Sequence, residues 1–250
     1  MTVTSPDDEG TVDEGTVYEG KLALITGSRR GLGRLMAEHI LRNGGRVVGF
    51  ARGEATIGHP DYVHVRVDVG DPESVQAGFA ELRQVTDVVH IVVNNAAVLA
   101  SQYSMIMPPA AAAAMVNTNL LGAFHVSREA AKLMRRTKWG RIINISSMAV
   151  GLEPIGDSVY AASKAGLTTM GNVMAKELAP LNVTVNTLGV SAIATDMLAQ
   201  LPQDKVAQVV AGLPLARFAE PDDVFNVLDF LASERSSYIT AQTIYLGGVH

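Results

Sequence analysis

From Lys21 onward, short apolar runs alternate with stretches whose apolar residues recur every three or four positions. Leu22-Ala23-Leu24-Ile25, Arg46–Phe50, Tyr62–Val67, Val88–Val93, Arg141–Ile145, Val183–Leu188 and Thr243–Leu246 read as strands. Between the first two, Leu32, Met36 and Ile40 make the stripe of an amphipathic helix over Gly31–Asn43, and Gly44-Gly45 ends it. Pro72 suits the first turn of a helix reaching about Arg83. Further helices are predicted over Ala110–Arg136, Ser158–Ala179, Gln203–Ala211 and Pro221–Ala232. Strands that alternate with helices imply βαβ units and a parallel sheet. Near-continuous apolar strands imply a sheet covered on both faces. The expected fold class is α/β, one Rossmann-type doubly wound domain, with ligands at the carboxyl ends of the strands.

Residues 1–20 break the pattern. They hold six acids and no base, which leaves 19 acids against 20 bases in the rest. Such a segment buries too little apolar surface to offset chain entropy. It is read as a flexible acidic tail, with residues 21–250 as the catalytic domain. The net charge of −5 argues against nucleic-acid binding. Absence of cysteine excludes disulfides, thiolate nucleophiles and zinc–sulfur sites. No apolar run is long enough for a membrane span, and no signal peptide is evident, so a cytoplasmic protein is expected.

Chemistry concentrates in a few places. Thr26-Gly27-Ser28-Arg29-Arg30-Gly31-Leu32-Gly33 lies between the first strand and first helix. Glycines there permit a tight turn and close approach of backbone to a pyrophosphate, and the helix start offers unpaired N–H groups. Tyr160 and Lys164 lie four apart on a predicted helix and so share a face. A phenol of pKa ~10 is a poor acid at neutral pH, and a nearby ammonium would lower it toward the working range. Ser147 stands thirteen residues before Tyr160, at the end of a strand, where it can hydrogen-bond a substrate oxygen; the adjacent Ser146 is a competitor.

The spacing T-G-x-x-x-G-x-G resembles the short-chain dehydrogenase/reductase family. So do Asn94-Asn95-Ala96-Ala97 (the family has N-N-A-G), Asn119-Leu120-Leu121-Gly122-Ala123-Phe124, the Ser147 position and Tyr160-Ala161-Ala162-Ser163-Lys164. The motifs run in order over about residues 20–248. The resemblance implies an oxidoreductase that moves hydride between a nicotinamide and a carbonyl or secondary alcohol. It assigns Tyr160 as acid/base, selects Ser147 over Ser146, and makes Lys164 and Asn119 the other catalytic residues, Asn119 holding a water that links Lys164 to solvent. By family register Ala51 fills the position where an NAD enzyme has an acid, and Arg52 follows it. With Arg30, and less so Arg29, this implies NADPH, because arginine binds phosphate bidentately. Gly27, Gly31, Leu32 and Gly33 would carry the pyrophosphate turn. Asp68-Val69 would flank adenine, Asn94 and Ala96 would line the groove, and Tyr160, Lys164, Ile193 and Thr195 would contact the cofactor.

Val190-Ser191 replaces the family's Pro-Gly, and Ala241 stands where glycine is common. An apolar pocket is expected from Met148, Val150, Val190 and Met197, with Met105, Ile106, Met107, Leu152 and Leu198 as further candidates. The resemblance is greatest to ketoacyl-carrier-protein reductases and polyketide ketoreductases, so an apolar ketone or ketoacyl substrate is expected. Lys138 and Arg141 are the candidates for docking an acidic carrier protein, although Leu181 occupies a position where a base often helps. A homotetramer is expected, through Leu133, Met134, Leu167, Met170, Met174 and Leu178. The competing expectation is a non-catalytic dinucleotide-binding sensor on the same fold.

Overall fold

A computed structural model describes residues 16–193, 207 and 210–248. Seven parallel strands form one sheet: β1 Leu22–Thr26, β2 Arg46–Ala51, β3 Tyr62–Arg66, β4 Ile91–Asn94, β5 Gly140–Ser147, β6 Val183–Val190 and β7 Thr243–Tyr245. Their order is β3-β2-β1-β4-β5-β6-β7. Helices α1 (Gly31–Arg42) and α7 (Pro221–Ala232) pack on one face, where Met36, Ile40, Val224 and Leu228 meet Ile25, Val93 and Ile143. On the other face lie α2 (Pro72–Val85), α4 (Gly122–Thr137) and α6 (Ser158–Leu178). There Phe79, Val126, Leu133 and Met174 cover Leu24, Val92, Ile142 and Val185. The doubly wound reading thus holds, and strand order reverses between β1 and β4, where such sheets open a crevice.

Several boundaries move for local reasons. The strand expected from Val88 begins at Ile91, because Thr86 closes a turn on Val88 with its hydroxyl, accepting from the Val88 N–H and donating to the Val88 carbonyl. β5 and β6 run further than expected, pairing Ser147 with Val190 at their ends. Valine favours a strand and has the N–H that proline lacks, and the Val190 carbonyl accepts the Met148 N–H at 2.9 Å. The helix expected over Ala110–Arg136 begins as α3 (Pro109–Val116) and passes through one π-helical turn, Asn117–Leu121, before α4. A four-residue helix, α5 (Ala149–Leu152), follows β5. The helix expected near Gln203–Ala211 lies outside the described residues except at 207, 210 and 211, where the chain is helical.

The tail boundary at residue 20 is corrected. Tyr18 is 1% exposed, donates a 2.5 Å hydrogen bond to Asp229 on α7 and packs edge-on against His39 of α1. The ring adds apolar burial within the segment read as tail.

Candidate active site

Two conditions shape the glycine turn. Gly27 and Gly31 adopt φ of +69° and +55°, the left-handed region where glycine is unstrained. Gly33 lies so near the Gly27 carbonyl and the Asn95 amide that a Cβ would collide with both. The turn is tied to the segment after β4: the Thr26 hydroxyl accepts the N–H groups of Asn95 and Ala96, each at 2.9 Å, and Asn95 Nδ2 donates to the Thr26 carbonyl at 3.0 Å. Sequence reasoning passed over Asn95; the doubled asparagine after a strand was the available signal. A helix start, positive-φ glycines and space denied to any Cβ fit a dinucleotide pyrophosphate. Asn94, expected to line the groove, does not do so with its side chain. It is 4% exposed, and its Nδ2 donates inward to Ser127 and Asn144, both at 2.8 Å.

The exposed Arg29 and Arg30 follow the glycine turn's start, and Arg52 follows β2 directly, beside β1 in the sheet. Arg52 Nη1 is 4.0 Å from Asp68, whose other oxygen accepts the Gly70 N–H. Val69 is buried against Gly122 of α4. Leu32, in the first turn of α1, packs partly against the core, and Ile193 is buried, bridging to Ala219. Thr195, Met197 and Leu198 lie outside the described residues.

The reacting groups converge across β5 and α6. Ser146 Oγ donates to the Lys164 carbonyl at 3.2 Å and is buried, so it braces the helix. Ser147 at the strand's end hydrogen-bonds the Tyr160 phenol. Lys164 is buried, and its ammonium donates to the Ile145 carbonyl at 2.7 Å. Burial alone pushes its pKa down to about 8. Burial also raises the Tyr160 phenol above its ordinary value; the Ser147 hydrogen bond pulls it back, and the Asp157 carboxylate adds to the rise. The sequence-based expectation of a lowered phenol is therefore corrected. Removing a phenolate from water costs more than the neighbouring hydroxyl restores. Asp157 is itself 8% exposed, one turn before Tyr160, with Oδ1 unpartnered.

Asn119 sits in the π-helical turn, a distortion frequent at functional sites. Its Oδ1 accepts the Val98 N–H at 2.8 Å, while Nδ2 donates to the Val98 carbonyl and to Ser163 Oγ. Ser163 Oγ in turn donates to the Tyr160 carbonyl at 2.7 Å. Of the two donor bonds, the one to Ser163 braces the Tyr160 helix and the one to Val98 holds the segment after β4.

Around the phenol, Met115, Ala149 and Met107 pack as an apolar cluster. Met148 lies against Ala192 and Val210, and Ser191 Oγ is 3.8 Å from its sulfur. Val150 is half-buried and Val190 buried. The segment carrying Tyr103, Met105 and Ile106 is latched to the start of α6 by Gln102 N–H to the Gly156 carbonyl and by Ser104 to Ser158. These three side chains and Ile155 are exposed, forming an apolar rim.

Lys138 and Arg141 are not at this mouth. Lys138 lies just before β5 and Arg141 near its start, the latter about 20 Å from Ser147 at ~3.3 Å per strand residue. Arg141 is moreover fully buried, stacked 4.3 Å from the Trp139 ring centroid and donating to the Ser233 and Gly140 carbonyls. Leu133, Met134, Leu167 and Met174 are buried within their own chain, and Met170 and Leu178 pack partly against the same core. The exposed apolar residues near these helices are Leu121, Phe124 and Val173.

A parallel sheet with a glycine-rich first turn and a Ser–Tyr–Lys cluster at its carboxyl edge defines a nicotinamide-dependent oxidoreductase acting on C=O and CH–OH groups. The chain belongs to the short-chain dehydrogenase/reductase family. Residues 27–250 match the family model described as Enoyl-(Acyl carrier protein) reductase. It is 33% identical over 237 residues to the 3-oxoacyl-[acyl-carrier-protein] reductases of Salmonella typhimurium and Escherichia coli, covering 92% of this chain and 97% of theirs. The Aquifex aeolicus enzyme of that name is 34% identical over 240 residues, with the same coverage. Among solved structures, the chain resembles a proposed gluconate dehydrogenase of Agrobacterium tumefaciens, with TM-score 0.83, 31% identity and 92% and 95% of the two chains covered. The ligand-free aldohexose dehydrogenase of Thermoplasma acidophilum aligns with TM-score 0.84, 25% identity and 93% and 94% covered. Among the described residues no helix is long and apolar enough to cross a membrane, and no cluster suits a metal.

Proposed function

We propose that this protein is a cytoplasmic, NADPH-dependent ketoreductase that reduces an apolar ketone or ketoacyl substrate, with Tyr160 as the acid. The observation that carries this reading is a buried phenol held protonated at neutral pH, bonded to Ser147 and set beneath an apolar rim. A nicotinamide cofactor held at the Gly27–Gly33 turn would supply the hydride that the carbonyl carbon receives. Ser147 donates a hydrogen bond to the carbonyl oxygen, and the Tyr160 O–H gives that oxygen its proton. Lys164, cationic at neutral pH, offsets the charge of the phenolate left behind. Asn119 and Ser163 keep the Tyr160 backbone in place. Arg29, Arg30 and Arg52 favour the 2′-phosphate over a bare ribose, and no carboxylate follows β2 directly.

Names of the relatives favour a 3-oxoacyl group on a carrier protein. The placement of Lys138 and Arg141 favours small ketones or short thioesters at this chain's own site. A homotetramer remains part of the proposal, supported by the exposed Leu121, Phe124 and Val173. Initial rates of NADPH and NADH consumption, with apolar ketones, 3-oxoacyl thioesters and 3-oxoacyl carrier protein, test the reading. NADPH should be favoured by at least tenfold in kcat/KM. Equal use of both nucleotides overturns the cofactor assignment, and tight NADPH binding without turnover overturns the catalytic one.

A further inference from the structure

A line of four polar groups joins the two turns that bear the arginines. Ser28 of the glycine turn is fully buried, with Oγ 3.0 Å from the Tyr62 hydroxyl on β3. That hydroxyl is 3.0 Å from His64 Nδ1, and His64 Nε2 lies 2.8 Å from the Gly53 carbonyl in the turn after β2. The carbonyl can only accept, so His64 Nε2 carries a proton and donates. In the neutral ring Nδ1 then accepts from Tyr62, which accepts from Ser28. Each hydroxyl proton in the line has a taker.

The surroundings are shaped to this line. Gly49, in the middle of β2, sits where any Cβ would collide with both the Tyr62 hydroxyl and Ser28 Oγ. A Cβ on Gly53 would be 2.8 Å from Arg29 Nε, so the Arg29 side chain lies over that turn. Thr56 Oγ1 donates to the Arg29 carbonyl at 2.6 Å. Arg29 and Arg52 therefore converge on a turn whose carbonyl His64 holds. Arg52 itself is exposed, and its nearest recorded partner is Asp68 at 4.0 Å. Such a side chain is oriented by the backbone that bears it more than by its own contacts.

We propose that Ser28, Tyr62 and His64 are positioning residues that lock the Arg52–Gly53 turn to the glycine turn and thereby set selectivity for a nucleotide carrying a 2′-phosphate. The inference rests on the NADPH reading above. None of the three need touch the phosphate. They reduce the freedom that the turn would lose when an anion is captured, which is how preorganisation raises affinity.

The test is calorimetric binding of two cofactor fragments, 2′,5′-ADP and 5′-AMP, to the intact protein, its His64→Ala and His64→Gln variants and Tyr62→Phe. Glutamine Nε2 reaches the same place as His Nε2 and can still donate to Gly53. His64→Ala should weaken 2′,5′-ADP about three- to tenfold, the worth of one hydrogen bond, and leave 5′-AMP within about twofold. His64→Gln should recover most of the loss. Tyr62→Phe should fall between them, since it frees the glycine turn but keeps the Gly53 bond. Equal weakening of both fragments by His64→Ala would mark a merely structural role and overturn the inference, as would unchanged binding of both. His64 is partly exposed, so the alanine variant is expected to fold; should it not, glutamine against Tyr62→Phe gives the same comparison. A parent protein that does not distinguish the fragments overturns the cofactor reading and this inference with it. A discriminating parent whose His64→Ala variant discriminates to the same degree overturns the inference alone.

Discussion

Tyr160 and Lys164 occupy adjacent turns of one helix, and burial shifts them in opposite directions because one is charged when deprotonated and the other when protonated. The phenol stays protonated at neutral pH and is ready to give its proton away. Tyr160→Phe is expected to lower turnover by on the order of 10²–10⁴ with NADPH binding nearly unchanged, as read by single-turnover rates and nucleotide fluorescence titration. Asp157 places a negative charge beside the phenol, opposed by the Ser147 hydroxyl. Asp157→Asn should move the alkaline limb of ketone reduction to lower pH, because a phenolate is then easier to form. An unchanged limb in an active variant would show that Asp157 does not act on Tyr160. Lys164 has a stability cost. Its native pKa of about 8 lies below the ordinary 10.5, so the unfolded chain binds the proton more tightly. The burial cost is full below pH 8 and fades as pH rises toward 10.5. Lys164→Met should therefore raise stability at pH 7 by on the order of 1–3 kcal/mol while abolishing turnover, with less gain at pH 10 in thermal unfolding.

At the level of elements, the departures from family pattern have local consequences. Ala241 adopts φ of +57°, which costs an L-residue roughly 1–2 kcal/mol and costs glycine little. Ala241→Gly removes that strain and adds chain entropy to the unfolded state. The net expectation is a gain of about 0.5–1 kcal/mol, measured by denaturant unfolding. Val190 ends β6 alongside β5, so the strand end that supports Met148 is intact. The π-helical turn at Asn117–Leu121 could not be read from apolar spacing. The shift to wider hydrogen bonding is tied to Asn119 reaching Val98 and Ser163, groups remote in sequence.

Across the molecule, two apolar layers hold the sheet, and Tyr18 extends one of them beyond the expected domain start. Tyr18→Ala should cost about 3 kcal/mol, since it empties a buried ring site and leaves Asp229 with His39 but without the phenol. Exposed Phe124 and Val173 are the places to probe assembly. Val173→Glu should reduce the mass found by light scattering without lowering the melting temperature by more than a few degrees, whereas Met174→Glu, buried in its own core, should unfold the chain. The sequence by itself determined the strand and helix alternation, the glycine turn and the Ser147, Tyr160 and Lys164 set. The first two and the Tyr160–Lys164 pair are local patterns: a period, a positive-φ requirement and a spacing along one helix; Ser147 was chosen over Ser146 by the resemblance to the family. Tertiary structure alone decided which way polar side chains face. It turned Asn94 inward to Asn144, spent Asn119 on Val98, set Lys138 and Arg141 at the far end of β5 and aligned Ser28, Tyr62 and His64. An amphipathic stripe says that a residue is apolar, and an asparagine says that it must bond. Neither names the partner, because partners come from strands and helices brought together only by the sheet order.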